Sequence, residues 1–417
     1  MNCLRIAAFL LASEIHGESY VRALSGKISS CLNNYADIDV IDLVNKGMTN
    51  VDYSGYEYAV LIHLTGGTSR TAKEIIDSLN RPVILIAHGE HNSLPSALSV
   101  RGWARELGKR VALIYSPSPN NLCRVFNLAY RGLKAVEYLG SLNVLEVNSN
   151  GSLSNGSKSF IKFFGAKVKA ISYRELLEAL TDVSEGEVSK VVEELSKAID
   201  LSGGISTELR NSIKVYVALK KAVLSGGASA LSIDCFPMII EHGVTPCVAV
   251  ALLNDSGIPA ACENDFNSLP LLILSSLITG TPGWIANISE VLPNGYVRLS
   301  HCTIALKLGF SCLLMKHFET GKPLSISCSL LHRRILMARF SNNYRALDVY
   351  RAIVSSSGLL STNQCRTQAL VRLLSIDPGE FMDRASGNHH VIIPWIRGVD
   401  ESIKIFSWAL GVKLNMY

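Results

Sequence analysis

The sequence predicts an α/β protein with two Rossmann-like parallel-sheet units followed by a more β-rich C-terminal domain. Three features of the 417 residues carry that expectation. Short β-branched apolar runs alternate with amphipathic stretches through the first two thirds, the pattern of strands covered by helices on both faces. A polar Asn/Gly/Ser segment, 148–157, interrupts the pattern, which then resumes. The last third loses the helical spacing and becomes strand-like. At about 150 residues per domain, the length allows two to three domains. The expected divisions are an N-terminal α/β domain at 1–138, a second α/β domain at 139–278 and a β-rich domain at 279–417.

The elements follow in order. Leu4–Leu11 reads as the first strand. Arg5 ahead of Ile6–Ala12 faintly suggests a signal peptide, but the run is short and Ser13–Gly17 is a poor cleavage region. Ser19–Leu32 is an amphipathic helix, Asp37–Leu43 a strand, and Tyr58–Leu64 a buried strand ending in Thr65-Gly66-Gly67-Thr68. A helix over Ala72–Leu79, a strand over Pro82–Ala87, a helix over Ser93–Leu107 and a strand over Arg110–Tyr115 complete the first unit. In the second, Leu142–Val147, Lys167–Ile171 and Ala228–Ile233 are strands. Helices are expected from Phe160, over Arg174–Leu180, around Glu187–Ile199 and over Ile213–Leu224. Tyr296–Ser300, His301–Leu306 and Pro323–Leu330 are the strands expected after the Pro293-Asn294-Gly295 turn.

Composition excludes several classes of function. A net charge of +5, from 40 Lys and Arg against 35 Asp and Glu, is too small and too scattered for a nucleic-acid footprint. The longest apolar stretch, Leu269–Ile278, falls short of the roughly 20 residues a membrane span needs, so no membrane role is expected. The 10 cysteines form no C-x-x-C pair and are expected to behave as single buried thiols of a cytoplasmic protein. Gly66-Gly67-Thr68 and His88-Gly89-Glu90-His91 fall at the sheet's carboxyl edge, where ligands gather. His88 and His91 could line a neighbour's pocket, although surface or capping roles suit them better. Neither segment is a dinucleotide fingerprint, and no phosphate-binding P-loop occurs, so a nucleotide cofactor is unsupported.

The chemistry concentrates between Thr245 and His301, with an outlying piece at Gly387–Ile393. A short apolar strand, Ile258–Cys262, delivers Glu263-Asn264-Asp265 at its carboxyl end. Structurally, Asp265 could simply cap the helix that follows Ser268, with Glu263 an ion-paired neighbour. Trp284–Asn287 is another apolar run ending in a polar residue, and His301 sits within a strand. His389 and His390 are adjacent on a strand, so at most one faces a given site. A Glu, a His and an Asn or Asp drawn from separated strand ends form a plausible oxygen/nitrogen set for Mn²⁺ or a similar divalent ion.

Four segments make this set more specific: TPCVAVALLNDSGIPAACEND (245–265), TGTPGWIAN (279–287), LSHCTIA (299–305) and GNHHVI (387–392). In that order they resemble the L-fucose and L-arabinose isomerase superfamily, especially its divergent prokaryotic fucose isomerase-like branch. LTGGT (64–68) and NSLPSALSVRGWARELGKRVALIY (92–115) add weaker echoes. The resemblance implies that Glu263 binds Mn²⁺ and acts as acid/base, that His301 is a ligand, and that a C-terminal histidine ligand is His389 or His390. At the position of the second catalytic carboxylate this chain has Asn287, a neutral group that cannot titrate near pH 7. Asp265, Glu290 or a metal-bound water could substitute for it.

The implied activity is metal-dependent interconversion of an aldose and a ketose, acting on a small sugar through an enediolate. Because of Asn287, a non-catalytic sugar- or metabolite-binding relative with a degraded metal site is the alternative, as is a lyase or epimerase on a sugar derivative. The resemblance further implies a homo-oligomer, a trimer or hexamer.

Overall fold

The computed structural model describes residues 4–42, 55–385, 387 and 389–417; Leu43 and Asn388 of the segments above lie outside them. The chain forms two compact units, Met1–Glu137 with Gly398–Gly411, and Tyr138–Arg397 with Val412–Tyr417. The architecture is mixed α/β, with two parallel sheets and separate antiparallel sheets.

The first unit is built on a five-stranded parallel sheet of β1 (Ile6–Leu11), β2 (Ile38–Asp42), β3 (Tyr58–His63), β4 (Val83–His88) and β5 (Val111–Ser116), in the order β2-β1-β3-β4-β5. β1 shows why its run is continuously apolar. Ile6, Ala8 and Leu10 enter one core while Ala7, Phe9 and Leu11 enter the other, so both faces are covered. After β5 comes a helix over Leu122–Gly140 that the periodicity reading does not place. It packs on the helix Val399–Leu410: Ser402 donates to the Leu128 carbonyl at 2.9 Å, and Gly132 lies against the Ser402 backbone. Residues 398–411, grouped above with the C-terminal domain, thus pack in the first unit. His88 is fully buried, its Nε2 2.9 Å from the Leu64 carbonyl, so it is an internal strut and not a surface group.

The second unit begins with a four-stranded parallel sheet: β6 (Asn143–Asn148), β7 (Lys167–Ser172), β8 (Ala230–Ile233) and β9 (Ala260–Cys262), ordered β7-β6-β8-β9. The segment 148–157 is only partly loop, because Ser154 caps a helix over Asn155–Phe164. The strands that follow are β10 (Trp284–Val291), β11 (Tyr296–His301), β12 (Gly309–Lys316), β13 (Pro323–Leu330), β14 (Arg334–Phe340), β15 (Ala346–Gly358), β16 (Thr367–Leu373), β17 (His389–Pro394) and β18 (Lys413–Met416). The order β14-β17-β10-β11-β16-β15 is closed by a β14–β15 pairing, giving a six-stranded antiparallel barrel with β18 parallel to β15.

Two expectations are corrected. His301–Leu306 is not a strand: β11 ends at His301, and the chain runs into a 3₁₀ turn at Leu306–Leu308. The thiols are not all single either, since Cys312 on β12 and Cys328 on the antiparallel β13 form a disulfide. Among the described residues, no helix is long and apolar enough to cross a membrane.

The helix pair in the first unit gives a direct test. A Cβ on Gly132 would sit 2.6 Å from the Ser402 carbonyl oxygen, whereas one on Gly102, also within a helix, would meet nothing within 4 Å. Gly132→Ala is expected to destabilise the protein by about 1–3 kcal/mol. Gly102→Ala should stabilise it by roughly 0.5–1 kcal/mol through helix propensity. Urea unfolding midpoints of the two variants check the contrast.

Candidate functional site

The site is assembled within the second unit, from the carboxyl edge of its parallel sheet and one end of its barrel. β9 leaves the sheet at Cys262, and the next two residues, Glu263 (φ 55°) and Asn264 (φ 52°), are both left-handed. Consecutive non-glycine residues in that region are strained, by about 1–3 kcal/mol each, and persist only where the surroundings hold them. Asn264 supplies the hold. Its backbone N–H donates to the Ile233 carbonyl at 3.0 Å, its Oδ1 accepts from Ser232 at 3.1 Å, and its Nδ2 donates to Glu146 Oε1 at 2.7 Å. Glu146 is fully buried within β6, where it also accepts from Asn148 Nδ2 and the Ser154 N–H, both at 3.2 Å. The sequence reading did not single out Glu146, since a Glu within an apolar strand carries no spacing signal.

The turn brings Glu263 and Asp265 to two histidines of the barrel. Glu263 Oε1 lies 3.5 Å from His301 Nε2, and Oε2 lies 3.4 Å from His389 Nε2. The other nitrogen of His389, Nδ1, is 2.8 Å from Asp265 Oδ2. The two rings meet edge to face with centroids 5.2 Å apart. Asp265 also braces the turn that leads into the helix Leu269–Thr279, accepting from the N–H of its N-cap residue Ser268 at 3.0 Å and from the Ser268 hydroxyl at 2.6 Å. Its structural and site contacts therefore coexist.

Strand alternation separates the histidine pair. His389 faces Glu263, while His390 lies near the Tyr350 ring at 6.1 Å. Asn287 on β10 is paired in register with His389, and its Oδ1 is buried without a hydrogen-bond partner. Glu290 is ion-paired to Arg298 at 3.2 Å and lines neither cavity described below.

Glu263 stands between two cavities. The inner one, about 170 Å³, is lined by Asn287, His301, Cys302, His317, Glu319 and Cys365 among others. The outer, about 380 Å³, is lined by Asn155, Ser159, Asp265, Arg339, Tyr344 and His389 among others. His317, Glu319 and Arg339 carry no local motif, and only the fold brings them here.

Burial works against charge on Glu263, yet the hydrogen bonds and charges of His301 and His389 outweigh it and hold the carboxyl well below its usual range. The same opposition, with His389 as the main partner, holds Asp265 down. Burial likewise opposes protonation of His389, but Asp265 and Glu263 push it up to about 9.

The donor set fits a divalent cation. One ligand atom from each of Glu263, His301 and His389 lies within 4.8 Å of the others. Ligands about 2.1 Å from one ion stand roughly 3–3.5 Å apart when adjacent in its shell, which matches the two carboxylate–imidazole separations. Buried His389 Nε2 faces Glu263 Oε2 at 3.4 Å, while Asp265 fixes the ring from Nδ1, the usual arrangement of a metal-binding histidine.

A scan against protein families finds no match. Among curated proteins, the chain is similar to a sulfoquinovose isomerase of Clostridium sp. (strain MSTE9), 27% identical over 217 residues, covering 49% of this chain and 48% of the relative. The chain thus spans about half the length of the curated relative it matches.

The buried support beneath the turn is testable. Glu146→Ala strands the donors on Asn264, Asn148 and Ser154 and is expected to lower stability by about 2–4 kcal/mol. Glu146→Gln keeps an acceptor and should lose less than half of that. Chemical denaturation of both variants measures the difference.

Proposed function

We propose that the protein is a sugar isomerase interconverting an aldose and a ketose with a divalent cation, Mn²⁺ being the expected one, held by Glu263, His301 and His389. The observation that carries the reading is the convergence of those three donors, from a sheet-edge loop and two barrel strands, to within 4.8 Å of one another. The similarity to a sulfoquinovose isomerase and the ordered resemblance to fucose and arabinose isomerases support it.

Bound there, the cation supplies Lewis-acid stabilisation of negative charge developing on the sugar oxygens. The chain's own groups do the rest. Glu263 reaches into both cavities, so its carboxylate is the base that takes the proton from C2 and returns it at C1. Asp265 is a positioning residue that holds the His389 ring at 2.8 Å. Asn287 contributes a neutral oxygen and cannot carry a proton. Glu319 lines the same inner cavity and is the carboxyl group available to move the oxygen-bound proton. Asp265 is engaged by His389 and Ser268, and Glu290 by Arg298. A sugar-binding protein without turnover is the second reading, and Asn287 is the observation that favours it.

Incubation with Mn²⁺ and a panel of aldoses, including sulfoquinovose, should yield a ketose; sugar binding with no ketose from any of them would establish the second reading. Glu263→Gln should abolish conversion and lower Mn²⁺ affinity at least tenfold by equilibrium dialysis. Asn287→Asp adds an anionic donor and should raise that affinity by about tenfold. Glu319→Gln should reduce kcat by roughly 10²–10⁴-fold, the usual contribution of a general acid–base group, with Mn²⁺ affinity unchanged.

A further inference from the structure

The outer cavity, whose wall also includes the carboxylates of Glu263 and Asp265, contains a cation with no ion-pair partner of its own among the described residues. Arg339, on β14, is only 8% exposed and lines this cavity together with Glu263 and His389. Among the described residues no carboxylate lies within ion-pair distance of it. Asp265 and Asp348 act on it only at longer range, Asp265 being bonded to His389 and Asp348 to Asn415. Its Nε is buried with no hydrogen-bond partner. Its Nη1 donates to the His389 carbonyl at 2.6 Å, which ties the guanidinium to the backbone of a site histidine. The site has been shaped around this side chain, because a Cβ on Gly387 (φ +72°) would stand 1.9 Å from Arg339 Nη2. Burying an unpaired guanidinium is costly, so such groups persist where a counter-ion arrives with a ligand.

A second positive feature faces the same space. Asn155, Gly156 and Ser159, from the first turns of the ten-residue helix Asn155–Phe164, line the cavity. The first amides of a helix have no intrahelical acceptor, and its N-terminus carries partial positive charge. The neutral hydrogen-bonding side chains of Asn267, Asn342 and Tyr344 complete the wall.

We infer that the outer cavity is an oxyanion subsite, in which Arg339 and the N-terminus of helix Asn155–Phe164 bind an acidic substituent on the substrate, so that the protein acts on an acidic sugar in preference to its neutral parent. The inference rests on the isomerase reading for the sugar, but the anion subsite stands on Arg339 and the helix alone. Phosphate, sulfonate and carboxylate share the required chemistry. A planar guanidinium can take two oxygens of any of them.

The test has two arms. Thermal denaturation of the metal-free protein is followed in inorganic phosphate or sulfate, with ionic strength matched by chloride. Wild type and Arg339→Lys should be stabilised by either oxyanion, and Arg339→Gln should not. In the second arm, kcat/KM is compared for a neutral aldohexose, its 6-phosphate, its 6-sulfonate and the corresponding uronate. Wild type should favour at least one acidic form by about 30-fold or more, the range of a charge-assisted hydrogen bond. Arg339→Gln should lose that preference, read as the ratio of the acidic to the neutral sugar's kcat/KM in the same variant, and Arg339→Lys should recover part of it. Equal loss on neutral and acidic sugars would show a merely structural arginine and overturn the proposal. So would the absence of any oxyanion effect on wild type. Failure of every sugar to react, with the Arg339-dependent oxyanion shift intact, would count against the isomerase reading and leave the subsite standing.

Discussion

The 2.8 Å contact between Asp265 Oδ2 and His389 Nδ1 joins the two halves of the site. One partner comes from the loop at the carboxyl edge of a parallel sheet, the other from the first residue of a barrel strand. That bond sets the imidazole plane and thereby aims Nε2 at Glu263. Without it, the carboxylate and the two histidines would be neighbours with no shared focus. Because Asp265 also accepts from Ser268, the N-cap residue of the helix Leu269–Thr279, the orientation of His389 is tied to the start of a buried element.

Behind that contact lies a chain of buried polar groups, each satisfied by the next. Glu146 accepts from Asn264, Asn148 and Ser154; Asn264 in turn keeps two left-handed residues in place; those residues present Glu263. A network of this kind is stabilising only when complete, because each missing partner leaves a desolvated group in a low dielectric. The strain at Glu263 and Asn264 is therefore localised where the chemistry is, and the sheet beneath it resists relaxation.

The two cavities on either side of Glu263 divide the work by polarity. The inner one holds thiols, His317 and the neutral Asn287, where the superfamily resemblance leads one to expect a carboxylate. The outer one holds hydrogen-bonding side chains, a helix N-terminus and Arg339. Glu319 keeps a carboxyl group in the inner cavity beside that neutral amide, and Arg339 stands in the outer one near Asp265 without an ion pair among the described residues.

Much of this was legible in the amino-acid order. Continuous apolar runs such as Ile6–Leu11 identified parallel strands, since burial on both faces removes polar residues from every position. Alternation along β17 dictated that only one of His389 and His390 could face the site, and a carboxylate pair after a short apolar strand marked the loop that carries Glu263 and Asp265. Local spacing could not reveal Glu146, Arg339 or Glu319, nor the return of Val399–Leu410 to the first unit, nor the end of β11 at His301. Each of these depends on groups dozens to hundreds of residues apart. Secondary structure and facing follow from periodicity over a few residues. Which His turns toward the site, which arginine stays unpaired and which glutamate supports the turn were decided only when barrel closure and sheet order brought distant strands together.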